Sequence, residues 1–102
     1  MSDSNARVTR DEDRHRYVLE INGEKLGSAE YTDQGNRTTF THTVVDPSLK
    51  GQGMGSKLVH DALSEARARG RRIVPVCEFV AAYVRRHPEW ESSVDWPDAS
   101  PR

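Results

Sequence analysis

Along the first half of the chain apolar and polar positions alternate, and along the second half the apolar positions recur at helical spacing. Arg16 to Ile21 (RYVLEI) reads as a strand, and Asn22-Gly23 directly after it marks a tight type I′ hairpin turn. A second strand is expected from about Lys25 to Thr32. Asp33-Gln34-Gly35-Asn36 is a further turn signal, and the β-branched run Arg37 to Val45 (RTTFTHTVV) completes an antiparallel three-stranded meander. Alternation along that third strand sets Phe40, His42 and Val44 on one face and Thr39, Thr41, Thr43 and Val45 on the other, so His42 is expected among apolar neighbours. Asp46-Pro47 stops the strand, and Met54, Leu58, Val59, Ala62, Leu63 and Ala66 predict a helix from Gly53 to Arg69. Gly70 stands where a left-handed cap belongs, and Arg72 to Val76 (RIVPV) resembles a short buried strand, irregular at Pro75 because proline donates no ladder hydrogen bond. A last helix is expected to start at Glu78 or Phe79, to carry Phe79, Val80, Tyr83 and Val84 on one side, and to stop at His87-Pro88. The order βββαβα is that of an α+β domain with one right-handed βαβ crossover.

Composition limits this picture without changing it. The 102 residues suffice for one small domain, and although only 34% are apolar against 30% charged, the apolar ones concentrate between Tyr17 and Trp90. Residues 1–14 and 91–102 lack core periodicity and are expected to be polar tails around a domain at 15–90, with Trp96 the exception in composition. A net charge of −1 gives no electrostatic case for nucleic acid or an anionic membrane. The single cysteine, Cys77, rules out an intrachain disulfide, and His15, His42, His60 and His87 show no ligand spacing, so no metal is expected. No apolar run approaches the ~20 residues of a membrane span and no signal-like segment opens the sequence, which makes cytoplasm the expected location. No long unpaired apolar face stands out, which favours a monomer over an oligomer.

The chemistry concentrates in VVDPSLKGQGMGSKLV, Val44 to Val59, where glycines at 51, 53 and 55 lie between a strand and a helix. A glycine-rich turn feeding a helix N-terminus either serves only as a tight turn or offers unpaired N–H groups and a positive dipole end to an anion, with Lys50 and Lys57 near enough to add charge. A phosphate-binding Walker loop needs Gly-Lys-Ser/Thr, but Ser56 follows Gly55 and Leu58 follows Lys57. The dinucleotide pattern G-x-G-x-x-G also fails, since its last glycine would fall on Ser56 or Leu58.

Lys50-Gly51-Gln52-Gly53-Met54-Gly55 resembles the acetyl-CoA motif of the GNAT (Gcn5-related) N-acetyltransferases, Gln/Arg-x-x-Gly-x-Gly/Ala, with Lys50 where the family has Gln or Arg. Together with H-T-x-V from His42 and C-x-F-V-x-x-Y-x-x-x-H-P-E from Cys77, it is similar to a subgroup of very small GNAT-like proteins. The resemblance implies a minimal GNAT-like fold, acetyl-CoA as co-substrate and an amine acceptor. It implies further that the N–H groups of Gly51, Gln52, Gly53, Met54, Gly55 and Ser56 hold the CoA pyrophosphate, with Lys50 keeping the cation of the motif's first position. Thr43, Val44 and Val45 would pair with pantetheine, and the N–H of Val44 or Val45 would face the thioester oxygen.

Three side chains are candidates for catalysis, each with a structural alternative. Cys77, between a strand and a helix, is a nucleophile, a lining of the acceptor pocket or a small buried hydrophobe. His42 is a base or a satisfied histidine on an apolar face. Tyr83 is, by the resemblance, the acid that protonates the CoA thiolate, or else a core aromatic. The sequence therefore reads first as an acetyl-CoA-dependent N-acetyltransferase working by direct transfer. The alternatives are a CoA-binding module without turnover and an α+β interaction protein whose glycine turn is structural.

Overall fold

A computed structural model describes residues 6–49 and 51–97. Its sheet has five strands in the order of the sequence: β1 (Ala6–Asp11), β2 (Arg16–Ile21), β3 (Glu24–Gln34), β4 (Arg37–Val45) and β5 (Arg72–Pro75). The first four are antiparallel, and β5 joins β4 in parallel after the crossover through α1 (Met54–Ala68); α2 (Glu78–Arg86) follows. At the β2–β3 turn Asn22 and Gly23 both have positive φ, 55° and 84°, as the type I′ turn demands. Sheet residues Tyr17, Leu19, Ala29, Tyr31, Phe40 and Ile73 form one core with Leu58, Val59, Ala62 and Leu63 of α1 and Val80, Tyr83 and Val84 of α2. Among the described residues no helix is long and apolar enough to cross a membrane.

Both ends depart from the expected tails. Residues 6–11 form an edge strand, in which Ala6 and Val8 pack on the core and Arg10 reaches Glu65 at 3.6 Å. An edge strand covered on one face needs few apolar residues, so its sequence looks polar. At the other end Pro88–Ser93 is a 3-10 helix that buries Trp90 under the Arg67 guanidinium, 3.9 Å from the ring centroid. Val94 then bridges Ile73 in parallel, and Asp95 accepts from Arg72 (2.7 Å) and Arg37 (3.0 Å). The fold thus reaches beyond the expected 15–90 at both ends, taking in Ala6 to Asp11 and Glu91 to Asp95; the rest of the expected tails, 1–5 and 98–102, lies outside the described residues.

The alternation expected in β4 holds only as far as Phe40. Tyr31 pairs with Phe40 and Glu30 with His42, so Thr41 is an extra residue, a β-bulge. One inserted residue exchanges the two faces beyond it. Thr38 and Phe40 are buried, while His42 and Val44 are exposed and Thr43 and Val45 turn toward the core side. His42 therefore does not share a face with Phe40, because the bulge lies between them.

Candidate functional site

β4 and β5 pair only from Arg37↔Arg72 to Phe40↔Pro75. Pro75 ends β5, Cys77 N–H donates to Phe40 O (2.8 Å), and beyond that point β4 continues to Val45 with no strand on its β5 side among the described residues. The Asp46 N–H donates to Leu26 O of β3 (2.8 Å). By the alternation of an antiparallel ladder, Val44 also faces β3, whereas Thr43 and Val45 turn their backbone groups into the gap. Cys77, at the N-terminus of α2, stands where the strands part, its Sγ donating to Thr43 Oγ1 at 3.4 Å.

The turn between β4 and α1 is shaped by local bonds. Ser48 N–H donates to Asp46 Oδ1 (2.9 Å), which holds the Asp46 carboxyl below its usual range, and the buried Leu49 anchors the 3-10 turn Pro47–Leu49. The Gln52 side chain donates back to Ser48 O (3.1 Å) and so braces the loop. Gly51 and Gly53 adopt φ of +81° and +74°, open to glycine at no steric cost, with nothing within 4 Å of an added Cβ. Gly55 has a different reason to be bare: a Cβ there would lie 2.6 Å from Phe79 Cζ.

Gly53 caps α1 without a side-chain hydrogen bond, and Lys57 N–H to Gly53 O (3.1 Å) is the first bond of the helix. The N–H groups of Met54, Gly55 and Ser56 therefore have no helical acceptor, and no acidic residue occupies the first turn. Lys57 is turned along the helix onto Asp61 at 2.9 Å. Lys50 lies outside the described residues. A cleft of about 460 Å³ opens here, lined by Val45, Pro47, Gly53, Gly55, Ser56 and Phe79 among others.

The structure thus gathers Val45, Gly51, Gly53, Met54, Gly55 and Ser56 around one cleft, while Thr43 and Cys77 meet each other where β4 and β5 part and are not among its lining residues. Gln52 belongs to the loop scaffold. His42 is exposed on the far side of β4. Tyr83 is buried, stacked on His87 with centroids 4.1 Å apart, and is not among the residues lining the cleft. Burial raises its pKa, partly offset by a hydrogen bond with Trp90. Phe79, expected in the core stripe of α2, is 42% exposed and walls the cleft. Periodicity could not separate it from Val80, since both lie on the same helical flank; only its packing on Gly55 does so.

Known proteins share this fold. The sequence profile of GCN5-related N-acetyl-transferases matches residues 16–94, the whole of the fold except β1. An uncharacterized N-acetyltransferase of Methanocaldococcus jannaschii is 33% identical over a 74-residue alignment that covers 66% of this chain and 32% of that protein, so the chain spans about a third of the relative's length. The solution structure of a GCN5-like protein from Staphylococcus aureus superposes with a TM-score of 0.70 at 21% identity and covers 94% of both chains. A GNAT family acetyltransferase from Brucella melitensis, solved in complex with acetyl-CoA, gives 0.57 at 26% identity over 70% of this chain and 49% of its own. A profile match over most of the fold, joined to a strand pair that parts beside an uncapped helix N-terminus, makes this chain a member of the GCN5-related N-acetyltransferase family.

Proposed function

We propose that the chain transfers an acetyl group from acetyl-CoA to an amine, with CoA lying along the parted edge of β4. The observation that carries this reading is that an edge of β4 with no strand beside it among the described residues adjoins three N–H groups at the start of α1 that have no acceptor within the helix. Pantetheine amides are peptide-like and add to such an edge as a strand would, against Thr43 and Val45. The pyrophosphate accepts from the turn between Gly51 and Ser56, where the helix dipole favours negative charge. The amine nitrogen attacks the thioester carbonyl; the C–N bond forms, the C–S bond breaks, and the proton lost by the amine ends on the departing thiolate. Val45, whose N–H is turned into the gap, stabilises the oxyanion. His42, exposed on the outer side of β4, accepts the amine proton, and Cys77 lines the path of the thioester without forming an acyl-enzyme. Tyr83, packed between His87 and Trp90, serves the core in this reading. Its burial also favours a second reading, CoA binding without turnover, in which no acid serves the thiolate.

The site is tested by Ser56→Asp. Ser56 is exposed in the first turn of α1, where a carboxylate interacts favourably with the dipole but repels a phosphate. The melting temperature is expected to hold or rise while the acetyl-CoA Kd, measured by calorimetry, increases at least about tenfold, the loss of one charge-assisted hydrogen bond. Unaltered binding would remove the pyrophosphate from this turn. Release of CoA thiol with an amine panel separates turnover from binding alone.

A further inference from the structure

A second groove, about 580 Å³, opens on the sheet face that the helices leave uncovered, and Val45, Asp46 and Pro47 line both it and the cleft before α1. A molecule in this groove therefore meets the same end of β4 from the opposite side, where an acceptor must stand if acetyl-CoA fills the cleft. The groove is lined by five charged side chains: Asp11, Arg14, Arg16, Lys25 and Asp46. Arg14 is spent on Asp11, which it meets through both its backbone N–H (3.3 Å) and its guanidinium (3.2 Å). Asp46, fixed by Ser48, stands at the junction of the two cavities. Arg16 and Lys25 remain, and neither forms an ion pair among the described residues. Asp11 and Glu30 are the cross-strand neighbours of Arg16 yet neither makes a salt bridge with it, and the Arg16 Nε is shut off from solvent with no hydrogen-bond partner among the described residues. A buried guanidinium N–H without an acceptor is costly, and a carboxylate is the ligand its fork geometry matches.

We infer that the acceptor is a primary amine carrying a carboxylate on the same molecule, with the carboxylate on Arg16 and Lys25 and the amine at Asp46 beside the thioester. The inference rests on the acetyl-transfer reading and names the substrate class of that site. Arg16 lies two strands from Asp46 and about four residues along from it, about 16 Å between Cα atoms at ordinary sheet spacings, so an amine and carboxylate separated by several bonds fit better than an α-amino acid.

The test titrates the protein, with and without CoA, by amide NMR using β-alanine, γ-aminobutyrate and ε-aminocaproate, each against its own primary amide, and cadaverine. At least one carboxylate is expected to bind about tenfold or more tightly than its amide, as one charge-assisted hydrogen bond warrants, with shifts at Arg16, Lys25, Ser28 and Val44. Arg16→Gln and Lys25→Gln should each reduce that preference severalfold while leaving acetyl-CoA affinity unchanged. Equal binding within every pair, no binding by any carboxylate, or a preference for cadaverine overturns the inference. Acetyl-CoA is titrated separately: failure there overturns the acetyl-transfer reading, whereas loss of discrimination among the amines overturns this one alone.

Discussion

Three glycines in one turn invite a single explanation, but Gly53 and Gly55 are bare for opposite reasons. At Gly53 the constraint is the backbone, with φ at +74° and open space around it; at Gly55 it is the Phe79 ring. Gly53→Ala places a Cβ in the left-handed region and should cost about 1–2 kcal/mol of stability. Gly55→Ala meets only the far end of a half-exposed side chain, which can swing away, and the alanine is itself the better helix former by up to about 1 kcal/mol. Its expected effect is therefore near zero on stability and visible in acetyl-CoA affinity, because Phe79 leaves the cleft wall. Urea denaturation and calorimetry on the two variants check the pair; a destabilised Gly55→Ala beside a neutral Gly53→Ala would refute both assignments.

At the scale of elements, the segment after α2 shows which kind of contact holds the sheet edge. Val94 is buried and bridges Ile73, while the ions of the Asp95–Arg72 pair are about a third exposed. Val94→Ala should cost about 1.5 kcal/mol for two buried methyl equivalents, and Asp95→Ala less than about 1 kcal/mol, since exposed ion pairs contribute little. Chemical denaturation gives the order, and the reverse order would show that the ion pair, not the valine, closes the edge. The same segment shows where sequence reading stops. The bounds of β2, β4 and α1 were legible because each is carried by its own residues: an Asn-Gly turn, a β-branched run, and an apolar stripe between a glycine turn and Gly70. The edge contributions of Ala6–Asp11 and Val94 were not, since a strand that lends the core one or two side chains has no periodicity to read. Nor was the bulge at Thr41, which follows from the pairing of β3 with β4 and not from any signal in RTTFTHTVV. At the candidate site the glycine turn was legible and the uses of its glycines were not: the packing of Gly55 on Phe79 joins residues from two helices.

For the whole molecule, charge rather than packing sets the pH range of stability. Hydrogen bonds from Arg72 and Arg37 hold the Asp95 carboxyl below its usual value, and the Ser48 N–H does the same for Asp46. At Glu65 burial works the other way but is outweighed by the bonds from Tyr17 (2.5 Å) and Arg69 (3.0 Å). Each of these groups has a folded pKa below its unfolded one, so each contributes stability above an unfolded value of about 4 that is lost as pH falls through the folded value. At the alkaline end Tyr17 and Tyr83 have raised pKa values, chiefly through burial, so the unfolded state loses protons first and stability declines above about pH 10. The melting temperature is expected to be level near neutrality, to fall below about pH 4, and to fall less steeply in Glu65→Gln. A melting temperature constant down to pH 3 would contradict these linkages.

The bulge at Thr41 makes β4 two devices in a single strand. Before it, the side chains answer to the interior and the backbone is spent on both neighbouring strands. After it, His42 and Val44 turn to the surface, Val45 only borders the core, and one backbone edge has no strand beside it among the described residues. Substitutions N-terminal to Thr41 are thus read by the folding equilibrium and those C-terminal to it by whatever the protein holds, so a single residue marks where the chain stops building itself and begins to serve.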